Sequence, residues 1–501
     1  MNIAFRVDAS TQIGIGHFMR CLTLADAFKK HGARTRFVSR YISDHLRSML
    51  FTRDHEFRQF IEYKGGDALD GLPHSHWLGV SQTKDATDTV NSLTDQYWDW
   101  LIVDHYALDS RWEKELRPIA RKILVIDDLA DRHHDCDVLL DLNLYANMGT
   151  RYVGKIPVDC QLLLGPRYAL LRDEFRQLRK QVKPRVGPVR RVLVSFGGVD
   201  AANYTIAVID ALAGIGIHDW HVDVVIGAQH PHREQIEEAC NKHGFVLHVQ
   251  TNQMAELMVA ADLAIGAGGS AIWERCCLGL PSLSICAADN QSRQLADAAS
   301  ECLLYAPNLN GKLVHAIRRH VVALMENSHL RMAISRCGMQ AVDGNGVLHV
   351  VGALGCSDIL IRTAIPDDSE KLFEWRNNPD IRMASRSSDL ISFIDHQKWF
   401  SSVLSDPSRQ LLIGEQNGLP IGVVRFDVQY DEAEVSIYLN PAVRGLGLGR
   451  NLLRGAESWF LRDHHDINIF RADVLGTNKR SHRLFTESGY SVESTSYLKR
   501  F

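Results

Sequence analysis

Long apolar runs are missing from this chain of 501 residues, and none reaches the roughly 18 needed to span a bilayer. A membrane partner is therefore not expected. Strong charge of one sign is missing too. Lys and Arg number 56 against 60 Asp and Glu, a net −4, which gives no electrostatic case for nucleic-acid binding. The opening MNIAFRVDAS lacks a basic stretch followed by an apolar core, so it reads as a buried strand and not as a signal peptide. The ten cysteines are scattered and contain no C-x-x-C. Most sit in apolar segments, which fits reduced, buried thiols in a cytoplasmic protein better than disulfides or zinc. No period of about 20–50 residues repeats, which excludes a solenoid.

What is present is an ordinary globular composition, 45% hydrophobic and 23% charged, in a chain too long for one core. The first 345 residues alternate short apolar strands with amphipathic helices. Strands are expected at 2–7, 34–39, 100–104, 122–127, 191–196, 221–226, 262–266 and 282–286. Helical patterns lie between them, as at 18–30, 201–213 and 232–243. Such alternation predicts an α/β fold of two doubly wound parallel sheets, over 1–170 and 188–345. The basic, proline-containing run 172–191 reads as their connection. At 346–357 the texture turns glycine-rich and poor in charge, and this is expected to be a linker. Residues 358–501 open with a strand and a helix, and then alternate as a hairpin-like set at 410–416, 420–429 and 432–439. This is a mixed α+β domain expected to fold alone.

The segment from Arg6 to Arg20 leaves a buried strand and enters a helix, at the sheet edge where open α/β folds bind ligands. Gly14 and Gly16 let the backbone approach a substrate. His17 is placed at the helix start, where the dipole disfavours imidazolium and leaves the ring able to accept a proton. Asp8 is expected either to orient that imidazole or a water, or to cap the turn. Two more glycine turns follow strands, Gly197-Gly198 and Gly268-Gly269-Ser270. Each offers backbone N–H groups to a pyrophosphate, although helix–sheet packing also demands glycines. Glu274, one turn into the next helix, suits ribose hydroxyls; its other reading is a first-turn carboxylate favoured by the dipole. Asn290 and Gln291 suit sugar hydroxyls, with N-capping the plain alternative for Asn290. The cluster His133, His134, Asp135 and Asp137 lacks metal-ligand spacing, and no metal is expected.

In the last domain, Arg444-Gly445-Leu-Gly447-Leu-Gly449-Arg450 joins a strand to an amphipathic helix. This is the build of an anion-holding turn, but the preceding antiparallel strand excludes a dinucleotide fingerprint. Downstream, Val474, Asn478, Ser481, Phe485 and Gly489-Tyr490 form a spaced pattern.

These motifs carry two resemblances. Two doubly wound halves with G-G-S-x-x-x-E resemble the GT-B, MurG-like transferases. The string from Arg6 to Ala25, with Asp104-His105-Tyr106, Arg167-Tyr168 and Ser195-Phe-Gly-Gly, resembles the UDP-sugar hydrolases of the pseudaminic acid pathway. That resemblance implies His17 as the base activating water at the anomeric carbon. It also implies a UDP-sugar site including Arg20, Asp104, His105, Tyr106, Arg167 and Tyr168 with the glycine turns. Residues 358–501 resemble the GNAT N-acetyltransferases. The implied co-substrate is acetyl-CoA, held by Arg444, Gly445, Gly447, Gly449, Arg450, Asn478 and Ser481. Trp375, Arg376 and Asn377 resemble the acceptor side of the pseudaminic pathway acetyltransferases and equally that of the ribosomal-protein alanine acetyltransferases. Glu434 is the expected base, its other reading being an exposed strand carboxylate, and Tyr490, Tyr438 or bulk water is the acid, since Phe485 stands where many relatives carry Tyr. Together the resemblances imply a two-step enzyme acting on a UDP-sugar. Three other readings stay open: a GT-B glycosyltransferase joined to a protein acetyltransferase, the same chemistry on another diamino-sugar, and a nucleotide-sugar sensor gated by acetyl-CoA.

Overall fold

The computed structural model describes residues 1–501 apart from 11, 62–69, 199, 217–219, 288–290, 356–358, 386, 446 and 494–501. The chain forms two compact units, Met1–Val350 and Val351–Phe501. Among the described residues no helix is long and apolar enough to cross a membrane.

The first unit contains two wholly parallel sheets. One comprises β1 (Asn2–Val7), β2 (Arg34–Ser39), β3 (Glu56–Gln59), β4 (Trp98–Asp104), β5 (Ala120–Ile126), β6 (Val138–Asp141) and β7 (Gln161–Leu164), in the order β3-β2-β1-β4-β5-β6-β7. The other comprises β8 (Arg191–Ser195), β9 (His221–Ile226), β10 (Val246–Val249), β11 (Leu263–Ala267) and β12 (Ser282–Ile285), in the order β10-β9-β8-β11-β12. Runs of Val, Ile and Leu bury the inner strands such as β1, β4, β6, β9 and β11 on both faces, which is why they pair in parallel beneath helices, whereas the edge strands β3 and β10 hold no fully buried residue. In each sheet the order reverses beside the first strand, between β1 and β4 and between β8 and β11. The crevice at such a switch point is where a doubly wound sheet receives a ligand.

The second unit is one sheet of β13 (Leu360–Thr363), β14 (Arg409–Gln416), β15 (Leu419–Gln429), β16 (Glu432–Leu439) and β17 (Ile469–Arg471), antiparallel except for β16 with β17. The helix Leu448–Phe460 covers it with Leu452, Leu453, Ala456 and Phe460 fully buried.

The division between the units falls inside 346–357, and two details are added to the sequence reading. The stretch 346–357 is not an open linker, since Gly346–Ala353 is a helix with Val350 and Val351 fully buried. Its apolar residues outweigh its glycines. Gly346 sits so close to the chain that a Cβ there would lie 2.3 Å from the Ala169 carbonyl. Within 172–191, Asp173–Arg179 is helical and anchored by the buried Phe175. The strands β3, β6, β7 and β10 were not expected. Each is four residues long, too short for its pattern to stand out.

Candidate active sites

The turn after β1 is set by backbone geometry. The Gly14 N–H donates to the Ser10 carbonyl at 2.8 Å, and Gly14 adopts φ +78°, a region open to glycine. The helix Gly16–Lys30 starts at once, and places His17 in its first turn. β4 ends beside β1, with Val7 opposite Asp104 in register. His17 Nδ1 therefore meets Asp104 Oδ1 at 2.6 Å. Arg20, one helical turn on, clasps the same carboxylate through Nε at 2.5 Å and Nη2 at 2.6 Å. Burial alone would raise the Asp104 carboxyl, but Arg20 and His17 pull it well below the ordinary carboxylate range. Asp104 is thus an anion and accepts the Nδ1–H, an assignment made from this network that leaves Nε2 with its lone pair.

An aromatic wall frames the imidazole. Tyr106 lies edge-on to it at 4.6 Å and stacks on Trp77 at 5.6 Å, while His74 packs on Trp77 at 4.5 Å. The Tyr106 hydroxyl donates to Asp128, just beyond β5. Trp77, His74 and Asp128 are additions to the sequence reading. The cluster Pro73-His74-Ser75-His76-Trp77 and the Asp doublet ending a strand were the available signals.

Several expected residues face elsewhere. Asp8 does not touch the imidazole. It is spent on Arg6 at 2.7 Å and on the Arg40 N–H at 2.7 Å, inside a fully buried network with Asp85. Strand residues two apart share a face, so Arg6 and Asp8 pair inward. His105 is also interior, 3.3 Å from Asp8, and burial lowers its pKa. Tyr168 is buried against His349 rather than open to substrate. Arg167 lies over the Tyr168 ring at 4.9 Å, with Nε and Nη2 buried and without a hydrogen-bond partner among the described residues. His134 is held by Glu113 at 2.7 Å in a buried ion pair.

The second sheet's glycine turns flank its own switch point, Gly197-Gly198 after β8 and Gly268-Gly269 after β11. Gly269 has φ +87°, and Gln291 packs over Gly268. Ser270 precedes the helix Ala271–Cys277, in which Glu274 has its carboxyl pushed up by burial. Asn290 lies outside the described residues. The two carboxyl edges meet through Asn143, which accepts from Trp273 Nε1 at 3.0 Å and from Gln294 Nε2 at 2.8 Å.

In the second unit, a cleft of about 1740 Å³ is lined by Glu434, Ser436 and Tyr438 on one face of β16. Also lining it are Arg376, Arg444, Gly445, Gly447, Gly449, Arg450, Asn478 and Ser481. β17 pairs with β16 only at Glu432–Glu434, so beyond that point an edge of β16 faces the cleft. Such an edge can pair with an extended ligand arm. Gly445 and Gly447 take φ +82° and +71°, a region open to glycine, just before the helix Leu448–Phe460 begins. Asn478 caps the helix Lys479–Glu487 by accepting from the Ser481 N–H at 3.1 Å.

Three acetyl-side assignments are corrected. Tyr490 donates to Glu457 at 2.6 Å and does not line the cleft, whereas Tyr438 does. Trp375 is core, packed with Leu372 and Phe400. Asn377 is consumed by both polar groups of the Ile391 backbone, at 2.9 and 3.0 Å.

Residues 370–490 match the acetyltransferase (GNAT) family. Over 293 residues the chain is 26% identical to the UDP-2,4-diacetamido-2,4,6-trideoxy-beta-L-altropyranose hydrolase of Campylobacter jejuni, across 58% of this chain and 93% of that protein. Over 124 residues it is 23% identical to the acetyltransferase PseH of Campylobacter jejuni, across 25% of this chain and 76% of that protein. A protein of Methanocaldococcus jannaschii described as uncharacterized is 21% identical over 98% of this chain and 96% of its own length. The chain is an enzyme that fuses a hydrolase-like unit to a GNAT acetyltransferase unit.

Proposed function

We propose that the chain carries out two consecutive steps of pseudaminic acid biosynthesis. The GNAT unit transfers acetyl from acetyl-CoA to the 4-amino group of UDP-4-amino-4,6-dideoxy-N-acetyl-β-L-altrosamine. The first unit then hydrolyses the product to UDP and 2,4-diacetamido-2,4,6-trideoxy-L-altrose. The observation that carries this reading is the His17–Asp104 pair at a switch point, in the unit similar to a hydrolase of that substrate.

In the hydrolytic step, His17 Nε2 takes a proton as water attacks the anomeric carbon. The bond from that carbon to the diphosphate oxygen breaks, and UDP leaves. Asp104 holds the ring in the required tautomer and lies beside the charge it gains. N–H groups at the turn Gly268–Ser270 face the departing diphosphate, and Glu274 takes ribose hydroxyls. Direct attack by water implies inversion. In the acetyl step, Glu434 removes a proton from the acceptor ammonium. The amine attacks the thioester, and the Tyr438 hydroxyl protonates the departing thiolate. The glycine turn at Gly445–Gly449 holds the pyrophosphate of CoA, and Arg376 faces the acceptor.

The test supplies the 4-amino UDP-sugar with acetyl-CoA and follows products by NMR. The diacetamido sugar and free UDP are expected. Release of UDP only when a second sugar acceptor is added overturns the reading in favour of a glycosyltransferase.

A further inference from the structure

Asn143 is a buried carboxamide at the exit of β6, and it is shared between the two halves of the first unit. Its Oδ1 accepts from Trp273 Nε1 and Gln294 Nε2, on the two helices that follow β11 and β12. An indole N–H can only donate, so the amide orientation is settled, and Nδ2 must point the other way. There it donates to Asp128 Oδ2 at 3.2 Å. The other oxygen of Asp128 accepts the Tyr106 hydroxyl, and Arg20 Nη1 stands 3.4 Å from Oδ2. Tyr106 is the ring edge-on to His17, and Arg20 is the clasp on Asp104. Trp273 directly precedes Glu274, and Gln294 follows Gln291 by one helical turn.

From this, and resting on the hydrolase reading above, we infer that Asn143 is a positioning residue. It fixes the nucleotide-side helices in register with the Asp128–Tyr106 wall that holds His17. A donor on one side and an acceptor on the other make the link polar in one direction. Aspartate at 143 keeps both acceptor contacts but sets a carboxylate against Asp128. Exchanging the pair, Asp128→Asn with Asn143→Asp, restores a donor opposite an acceptor with its direction reversed and leaves the Tyr106 and Trp273 bonds intact, while the 3.4 Å contact of Arg20 Nη1 is given up.

UDP release from the diacetamido UDP-sugar is measured with the full chain for the parent, Asn143→Asp, Asp128→Asn and the double exchange, each checked by thermal melting. The single variants are expected to lose at least about 10-fold in kcat with KM and UDP affinity within about twofold, and the double to recover most of it. An unchanged kcat in Asn143→Asp, or a double no faster than the singles, overturns the inference. Should Asn143→Asp fail to fold, the double is still expected to exceed Asp128→Asn by about 10-fold, and equality overturns the inference. A parent that releases no UDP refutes the hydrolase reading itself, and this inference falls with it.

Discussion

His17 Nδ1 and Asp104 Oδ1 lie 2.6 Å apart, although 87 residues separate them in the chain. Arg20 holds the same carboxylate from the helix that carries His17, so the imidazole has little freedom to turn. The only part of the ring left for chemistry is Nε2.

His17→Ala is therefore expected to lower kcat for UDP release by about 10²-fold or more, with UDP affinity nearly unchanged. Single-turnover kinetics together with calorimetry on UDP check both parts. A rate close to the parent's would remove His17 from the mechanism.

Asp104 and Asp8 should respond differently. Asp104→Asn takes away the carboxylate that sets the tautomer, and is expected to cost about 10²-fold or more in kcat. Asp8→Asn breaks a buried ion pair with Arg6 and is expected to cost about 3–5 kcal/mol of stability, with kcat of the folded fraction little changed. Urea unfolding alongside kinetics distinguishes them, and the opposite pattern would restore Asp8 to the site.

Glu274→Ala is expected to weaken UDP binding by about 1.5–3 kcal/mol through lost hydrogen bonds to a charged group. Burial pushes its carboxyl up, with Arg172 and Arg275 opposing that shift. Equal affinity of variant and parent in calorimetry would place the ribose elsewhere.

Gly447→Glu should abolish acetylation and leave UDP release from the diacetamido sugar intact. The substitution strains a backbone at φ +71° and sets a carboxylate at the proposed site of the CoA pyrophosphate. Circular dichroism confirms the fold, and loss of both activities would contradict the assignment.

Asp141 supplies a pH test of stability. Burial first, and then the neighbouring Asp128, push its carboxyl up to about 8. The folded state thus keeps a proton that the unfolded chain has released above its ordinary range near 4. The contribution is fully present below about pH 4 and is lost as pH rises towards 8, at up to about 1.4 kcal/mol per pH unit. Asp141→Asn should flatten that fall relative to the parent in urea unfolding of the first unit between about pH 5 and 8. An identical slope in both proteins would refute the assignment.

The strands 2–7, 34–39, 221–226 and 432–439 were legible in the sequence to the residue, because apolar runs and period-two alternation are local. The glycine turns were legible for the same reason, and the sheet order explains their purpose, since each pair flanks a switch point. His17 at a helix start and the Glu434, Ser436 and Tyr438 face of β16 also follow from short-range spacing.

Which carboxylate serves His17 was decided only by the tertiary structure. Asp8 and Asp104 both stand at strand ends, and the sequence places Asp8 nearer. Two contacts settle the matter: the pairing of Asp8 with Arg6 on the inward face, and the β1–β4 register that sets Val7 opposite Asp104. Tyr490 and Tyr438 were separated in the same way, by Glu457 capturing one hydroxyl. Asn143 has no local signal at all. Its role comes from Trp273, 130 residues away, and from a buried amide that must satisfy donor and acceptor at once. Local pattern determined the elements and their turns. Desolvation, which makes an unpartnered buried charge costly, determined which side chains remained for chemistry.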